Sequence, residues 1–439
     1  MERYDEYKDS GVEWIGEIPK CWRSLKLKDF GRIERGHGIQ RSDVIKNGRP
    51  CVRYGELYTT YDQRIVQPIS YVSDELFRSC VKLHPDELAV AITGETKEDI
   101  APAAVNLSGV DLAIGGDMLR FSQTDSDGRF LSYAINSQYF KRQMSARAHG
   151  EIIVHVGADT VSVGTVVLPP KSEQVAIADY LDEKTEKIDA LIAETEKSIG
   201  LLEEYRRSVI SEAVTKGIDP DAPMNDSGIE WLGEIPEGWA VRPSKSLFRE
   251  SKALRFADDI RCAATQQFGI ISQAEYVERT GSRVVQADKN LDSWKHVVPG
   301  DFVISLRSFQ GGIEFCGVTG CVTWHYIVLK PDEEIEDDYY RYLLKSRNYI
   351  KALQRTCTYI RDGQDLRYSN FVQVPLPYPP LEEQLAIGSY LNERTSLIDA
   401  LIVRKQELVD KLRSYRKSLI SEAVTGKFKV PGSEEGGQR

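Results

Sequence analysis

One segment of this sequence occurs twice. Leu168 to Gly217 and Tyr378 to Lys427 align without a gap, with about half of the positions identical, a match too long to arise by chance. Both copies start on a Pro-Pro pair (Pro169 and Pro170, Pro379 and Pro380). Both pass through Glu-Gln-x-Ala-Ile (Glu173 to Ile177, Glu383 to Ile387) and close on Ser-Glu-Ala-Val-Thr (Ser211 to Thr215, Ser421 to Thr425). Between these marks the first copy places apolar or small residues at Leu181, Ile188, Ile192, Thr195, Ile199, Leu202, Val209 and Ala213. The second answers with Leu391, Ile398, Ile402, Val409, Leu412, Leu419 and Ala423. Alternating steps of three and four make one narrow apolar stripe on a helix. Only Gly200 interrupts the first copy and Gly388 the second, so each can run for some 40 residues, roughly 60 Å at 1.5 Å per residue.

A helix with a thin seam and charge elsewhere needs a partner with a matching seam, and the nearest candidate is its own copy. Paired antiparallel, the two would form a stiff rod holding whatever lies between them at a fixed separation. A coiled coil that serves only to join two chains is the competing reading of the seam alone.

A second repeat precedes each copy. Asp9 to Trp22 returns as Asp226 to Trp239, both built on Ser-Gly-[Val/Ile]-Glu-Trp-[Ile/Leu]-Gly-Glu-Ile-Pro. Turn-forming Gly and Pro among Trp14, Ile15, Ile18 and Trp22 suggest an irregular segment that tucks two indoles against a neighbouring surface. Pro220 and Pro223 mark a linker before the second box. The chain thus reads box, domain, helix, twice over. Its boundaries are a first domain with its box over 1–168, a first spacer helix over 169–216 and a linker over 217–225. A second domain with its box follows over 226–378, then a second spacer helix over 379–426 and a tail over 427–439.

Such duplication implies approximate two-fold symmetry. The two domains share little sequence, although their elements run in a comparable order. Val81 to Ile92 and Val297 to Leu306 each read as a turn feeding a buried strand, and Leu112 to Phe121 and Val322 to Leu329 as further strands. Phe130 to Met144 and Tyr339 to Leu353 read as a short amphipathic helix, followed by a loop with Gly150 or Gly363 and a closing strand. The predicted class is α+β: two globular domains separated by two long antiparallel coiled-coil helices, pseudo-two-fold symmetric.

The net charge of −10 argues at first sight against a nucleic-acid partner. Its distribution reverses that. Residues 23–168 hold 18 Lys+Arg against 18 Asp+Glu and residues 240–378 hold 19 against 17, while 169–239 hold 7 against 17. The acidity belongs to the first helix and linker, leaving the domains free to present locally basic faces. No apolar run reaches the roughly 18 residues of a membrane span, and the charged first 20 residues are neither a secretion signal nor a transit peptide. Seven scattered cysteines without a Cys-x-x-Cys pair read as reduced cytoplasmic thiols, with no zinc site.

The one catalytic pattern is Asp86 followed by Glu95-x-Lys97, the spacing by which two carboxylates and a lysine serve a Mg²⁺ nuclease. It is loose, and the second domain has Phe309 where Glu95 would be. Phosphate-binding and dinucleotide-binding glycine motifs are absent, and six histidines show no paired metal spacing. What remains are polar loops. In the first domain they carry Arg35, His37, Gln40 and Arg41, then Arg53 and Tyr54, then Arg147 and His149. In the second they carry Arg255, Gln266 and Gln267, then Arg307 and Gln310, then Tyr359, Arg361 and Gln364. Arg pairs with guanine and Gln with adenine in the major groove, so these are the candidates for contact with double-stranded DNA.

The Pro-Pro-x-x-Glu-Gln-x-Ala-Ile opening, the Ile-Asp-Ala-Leu-Ile cores (Ile188 to Ile192, Ile398 to Ile402), the Tyr-Arg-x-Ser-x-Ile-Ser-Glu-Ala-Val-Thr endings and the Trp boxes resemble the specificity subunit of type I restriction-modification systems. The resemblance implies a non-catalytic subunit whose two target-recognition domains each read half of a split DNA target. It also implies assembly with two adenine-methyltransferase subunits and with ATP-driven restriction subunits, with S-adenosylmethionine, Mg²⁺ and ATP bound by those partners. The recognition domains of that family vary, so no base contact carries over. A nuclease using Asp86, Glu95 and Lys97 and a scaffold without DNA are the alternatives.

Overall fold

The structure is a computed structural model, described here for residues 2–282, 290–357 and 366–432. It divides into two compact units, Met1–Thr195 with Glu407–Arg439 and Glu196–Gln406. The division falls inside two continuous helices, Lys171–Lys216 of 46 residues and Leu381–Val424 of 44. Each unit therefore contains the beginning of one long helix and the end of the other.

In the first unit Leu181, Ile188 and Ile192 of the first helix share a core with Leu412, Leu419, Ala423 and Val424 of the second. In the second unit Val209, Ala213 and Val214 share one with Ile387 and Leu391. Early residues of one helix meeting late residues of the other is antiparallel pairing. Every seam position is covered. Leu181, Leu391 and Val409 are fully buried and Ile188, Val209, Ile398 and Leu419 nearly so, while Ile192, Ile199, Leu202, Ile402 and Leu412 are half-buried. Arg206 binds Asp399 across the pair in the second unit (Nε to Oδ1, 2.8 Å), and Arg416 binds Asp189 at the matching place in the first (2.8 Å).

In the first unit's domain a five-stranded sheet runs in the order Gly31–Arg35, Met118–Gln123, Leu88–Ala91, Ala103–Asn106, Arg64–Ile65, antiparallel except for its last pair. Leu88–Ala91 and Ala103–Asn106 are buried at every residue, which explains their continuous small and apolar sequence where a one-faced strand would alternate. A four-stranded sheet orders Ser70–Val72, Arg49–Val52, Leu112–Ile114, Val81–Leu83.

The segment predicted as one strand from Leu112 to Phe121 is two, Leu112–Ile114 and Met118–Gln123, in different sheets. Gly115 and Gly116 between them let the chain pass Gly36, where a side chain would meet the Gly115 carbonyl. The helix predicted from Phe130 to Met144 is likewise two, Gly128–Asn136 and Gln138–Ser145, broken where Ser137 takes an extended conformation. The second domain repeats both corrections. Gly320–Val322 and Ile327–Pro331 are separate strands, and Asp337–Leu343 and Arg347–Arg355 are separate helices, the latter capped by the Ser346 hydroxyl.

The second domain's main sheet orders Phe248–Ser251, Ile327–Pro331, Phe302–Ile304, Glu314–Phe315, all antiparallel. A separate hairpin pairs Cys262–Thr265 with Gly269–Ser272. Both domains close by pairing their first strand with their last, Arg23–Lys26 with Thr165–Leu168 and Ala240–Arg242 with Leu376–Tyr378. The proline pairs follow and the long helices begin.

The boxes form short hairpins, Tyr7–Asp9 with Glu17–Pro19 and Met224–Asp226 with Glu234–Pro236. They do not tuck both indoles. Trp22 is fully buried and Trp239 nearly so, but Trp14, in the hairpin loop, is 42% exposed and Trp231 is half-buried.

Candidate nucleic-acid interface

The repeated motifs act as a seat for each domain. Trp22 Nε1 donates to Glu173 Oε2 (3.0 Å), and Tyr4 donates to Glu173 Oε1 (2.5 Å). Trp239 Nε1 donates to Glu383 Oε2 (2.6 Å). The next residue, glutamine in both copies, accepts from a domain backbone N–H (Asp127 to Gln174, 3.0 Å; Glu336 to Gln384, 2.9 Å). It donates to the first proline carbonyl (Pro169 and Pro379, both 2.9 Å). Tyr133 then donates to Asp182 (2.7 Å) beside Thr185, and Tyr342 to Asn392 (3.0 Å) beside Thr395. A buried indole N–H or a helix-start amide without a partner costs of the order of 1–3 kcal/mol, so these residue types recur where each domain meets its helix.

On the second domain a cleft of about 1030 Å³ opens between the hairpin tip, the start of helix Arg347–Arg355 and the flank of the first long helix. Its walls carry Arg206, Arg207, Arg341, Lys345, Arg347 and Lys351 against Glu204, Glu275 and Glu314, a local excess of three positive charges in an acidic chain. Gln266, Gln267 and Gln310 line it together. The hairpin positions the first two. Thr265 accepts from the Phe268 N–H through its hydroxyl (2.9 Å), and Gly269 takes the left-handed conformation (φ 71°) that closes a short loop. Gln354 donates to the Phe309 carbonyl (2.7 Å) and so holds the turn Ser308–Gly311 that carries Gln310. Below them Lys345 bonds the Gln266 carbonyl and the buried Glu314 carboxylate, both at 2.6 Å. Burial raises Glu314 above the usual carboxylate range, and the Lys345 charge opposes the rise.

Arg255 and Arg307 do not line this cleft. Arg255 is half-buried with its charge beside the Cys321 thiol, and the Arg307 charge acts on the Tyr326 phenol. Tyr359, Arg361 and Gln364 lie outside the described residues.

On the first domain Arg35 donates to the Gly116 carbonyl (2.9 Å), and His37 contacts the Ser79 carbonyl (2.9 Å). Beyond Gly116, Asp117 accepts from Thr93 (3.4 Å). Thr93 also meets His155 (3.1 Å), whose backbone pairs with that of His149 and whose ring stands 6.3 Å from the His149 ring. Arg35, His37 and His149 therefore fall in one connected set, with Arg147 exposed beside it. Gln40 starts the short helix Arg41–Asp43, its N–H donating to Asp43 (2.7 Å), and Arg41 is exposed. Tyr54 is 42% exposed. Arg53 is already engaged, bonded to the buried Glu56 (2.9 Å).

The nuclease pattern does not assemble. Asp86, in the left-handed region at φ 67°, accepts from the Gly128 N–H at a helix start (3.1 Å) and meets the Gln123 amide. Glu95 and Lys97 are exposed beyond the far end of strand Leu88–Ala91, which alone spans about 13 Å, too far for two carboxylates to share an ion. Among the described residues no group of three or more His, Cys, Asp or Glu is placed to hold a metal. None of the seven cysteines forms a disulfide, and among the described residues no helix is long and apolar enough to cross a membrane.

Arg206, Arg207, Arg347 and Lys351 escape a reading confined to polar loops because they lie on helices. One signal was available: Arg347 and Lys351 stand four apart with like charge, an arrangement that costs a helix stability unless something else uses it.

No family model matches the chain. A putative type I restriction enzyme MjaX specificity subunit of Methanocaldococcus jannaschii is 24% identical over 445 residues, covering 95% of this chain and 96% of that protein. The EcoKI specificity subunit of Escherichia coli K12 is 19% identical over 446 residues, 94% and 90% of the two chains. Among solved structures, a chain from work on complex assembly and conformational transition of the type I R-M system superposes with TM-score 0.67, at 16% identity, over 93% of this chain and 99% of that one. The HsdS subunit from Thermoanaerobacter tengcongensis gives 0.53 at 17%, over 93% and 98%. The resemblance read from the boxes and helices thus extends along nearly the whole chain in sequence and in fold: this protein is similar to the specificity subunits of type I restriction-modification systems.

Proposed function

We propose that the chain is the DNA sequence-specificity subunit of a type I restriction-modification complex and catalyses nothing itself. Each domain reads one half of a split target in double-stranded DNA, and the paired helices set the interval between the halves. The observation that carries this reading is two unlike domains on like seats: the Trp–Glu and Gln–backbone bonds recur at both helix starts, while the surfaces above them differ in sequence. A duplicated mount with divergent heads suits recognition of two different short sequences.

The long helices also leave apolar side chains outside their seam. Leu191, Leu408 and Tyr415 are 42–52% exposed in the first unit, and Leu201, Tyr205, Leu397 and Leu401 are 45–57% exposed in the second. Such stripes support docking of partner helices. The proposed partners are methyltransferase subunits, two per chain as the duplication suggests, and restriction subunits. S-adenosylmethionine, Mg²⁺ and ATP are assigned to these partners.

Co-purification with the methyltransferase, followed by selection from random-sequence DNA, tests the proposal. A bipartite, asymmetric motif is expected. A single contiguous motif, or DNA cleavage by the isolated chain with Mg²⁺, would overturn it.

A further inference from the structure

We propose that Gln266, Gln267 and Gln310 of the second domain read adenine in one half of the target, with Arg347 and Lys351 holding the adjacent phosphates; this rests on the function proposed above. Six other glutamines of the described residues are spent internally: Gln123, Gln143, Gln174, Gln354, Gln373 and Gln384 each bond a backbone carbonyl. The side chains of Gln266, Gln267 and Gln310 bond nothing among the described residues, and all three are exposed on one cleft. Gly311 brings two of them together, since a Cβ there would fall 2.5 Å from the Gln266 amide nitrogen. The residue next to Gln310 thus lies flat under the Gln266 side chain.

A free carboxamide offers one donor and one acceptor in a plane. That matches the N6 amino group and N7 of adenine, and no other base presents that pair on its major-groove edge. The cations nearby are not equivalent. Lys345 is committed to Glu314 (2.6 Å), and Arg341 faces Asp338 (3.6 Å). Arg347 and Lys351 have no ion pair among the described residues and stand one turn apart on the exposed face of helix Arg347–Arg355. Charges of this kind, beside amides that need a partner, suit a phosphate strand bordering the base edges.

The methylated motif of the full complex, determined genome-wide, gives the test. Gln310→Ala, Gln267→Ala and Gln266→Ala are each compared with wild type, and Arg347→Ala and Lys351→Ala form the second arm. In at least one glutamine variant an A·T position in one half of the motif should become degenerate, with discrimination falling about 5- to 150-fold, while the other half stays unchanged. The cation variants should weaken binding to all sequences alike and flatten the dependence of log affinity on log salt by about 0.9 for each phosphate no longer neutralised. An unchanged motif in all three glutamine variants, relaxation confined to G·C positions, or uniform loss of binding in them would overturn the assignment. A wild-type complex with no bipartite motif would instead overturn the function on which it rests.

Discussion

Glu173→Ala is the sharpest test of how the domains are mounted. The Glu173 carboxylate is 5% exposed and takes hydrogen bonds from Trp22 and Tyr4. A bond to an ionised group contributes about 1.5–3 kcal/mol, and a buried donor left without a partner costs its full desolvation. The two bonds share one carboxylate and are not additive, so the loss should be about 3–4 kcal/mol. At about 2–4 °C per kcal/mol for a unit of this size, its melting transition should fall by roughly 6–15 °C. Glu383→Ala removes the same motif residue from the other copy. There the carboxylate is exposed and has one donor, Trp239. Water can replace it, so the expected loss is about 1 kcal/mol. Calorimetry on the full chain measures both. Hydrogen exchange at the hairpins Tyr7–Asp9 with Glu17–Pro19 and Met224–Asp226 with Glu234–Pro236 then shows which unit has loosened. If Glu173→Ala costs no more than Glu383→Ala, burial of the carboxylate is not what fixes the first domain to its helix.

Arg416 is 17% exposed and serves both Asp189 and Asp62, whereas Arg206 is 34% exposed and serves Asp399 alone. Arg416→Ala should therefore destabilise by about 2–4 kcal/mol, and Arg206→Ala by less than about 1 kcal/mol, the latter vanishing at high salt; urea titrations at two ionic strengths would separate them. Gly426→Ala places a methyl on the Pro19 ring and Trp22 at φ 69°, and should cost about 2–4 kcal/mol by the same titration. Burial raises the folded-state pKa of Asp301 and of Glu314. For an acid with a raised folded pKa the native state holds the proton more tightly. These groups should therefore favour the fold at acid pH, and that contribution should be lost as pH rises from the ordinary carboxylate values, 3.8 and 4.5, through the raised ones. The melting temperature of Asp301→Asn should fall less steeply than wild type over that range; an identical slope would refute the assignment.

Much of the architecture was legible without coordinates. A seam of three-and-four spacing is a local, one-dimensional signal, and an internal repeat reports itself wherever the copies end up. Leu181, Ile188, Val209, Leu391 and Val409 could therefore be named from spacing alone, as could the two boxes and the closing strands before Pro169 and Pro379. The breaks at Ser137 and Ser346 were less visible, because an amphipathic pattern runs on through a serine whose backbone turns extended.

What the tertiary structure decided is which residues meet. Gln266, Gln310 and Lys351 are 44 and 41 positions apart in the chain, and nothing periodic links them. Strand pairing and the cap at Ser346 bring them to one cleft. The same pairing sends Arg255 and Arg307 elsewhere and assigns Asp86 to a helix start. Equal sequence motifs also acquired unequal weight, since Glu173 is buried and Glu383 is not. Burial and juxtaposition come from the packing of the whole chain, so the mount was written in the repeats, whereas the reading surface existed only once the loops had been placed.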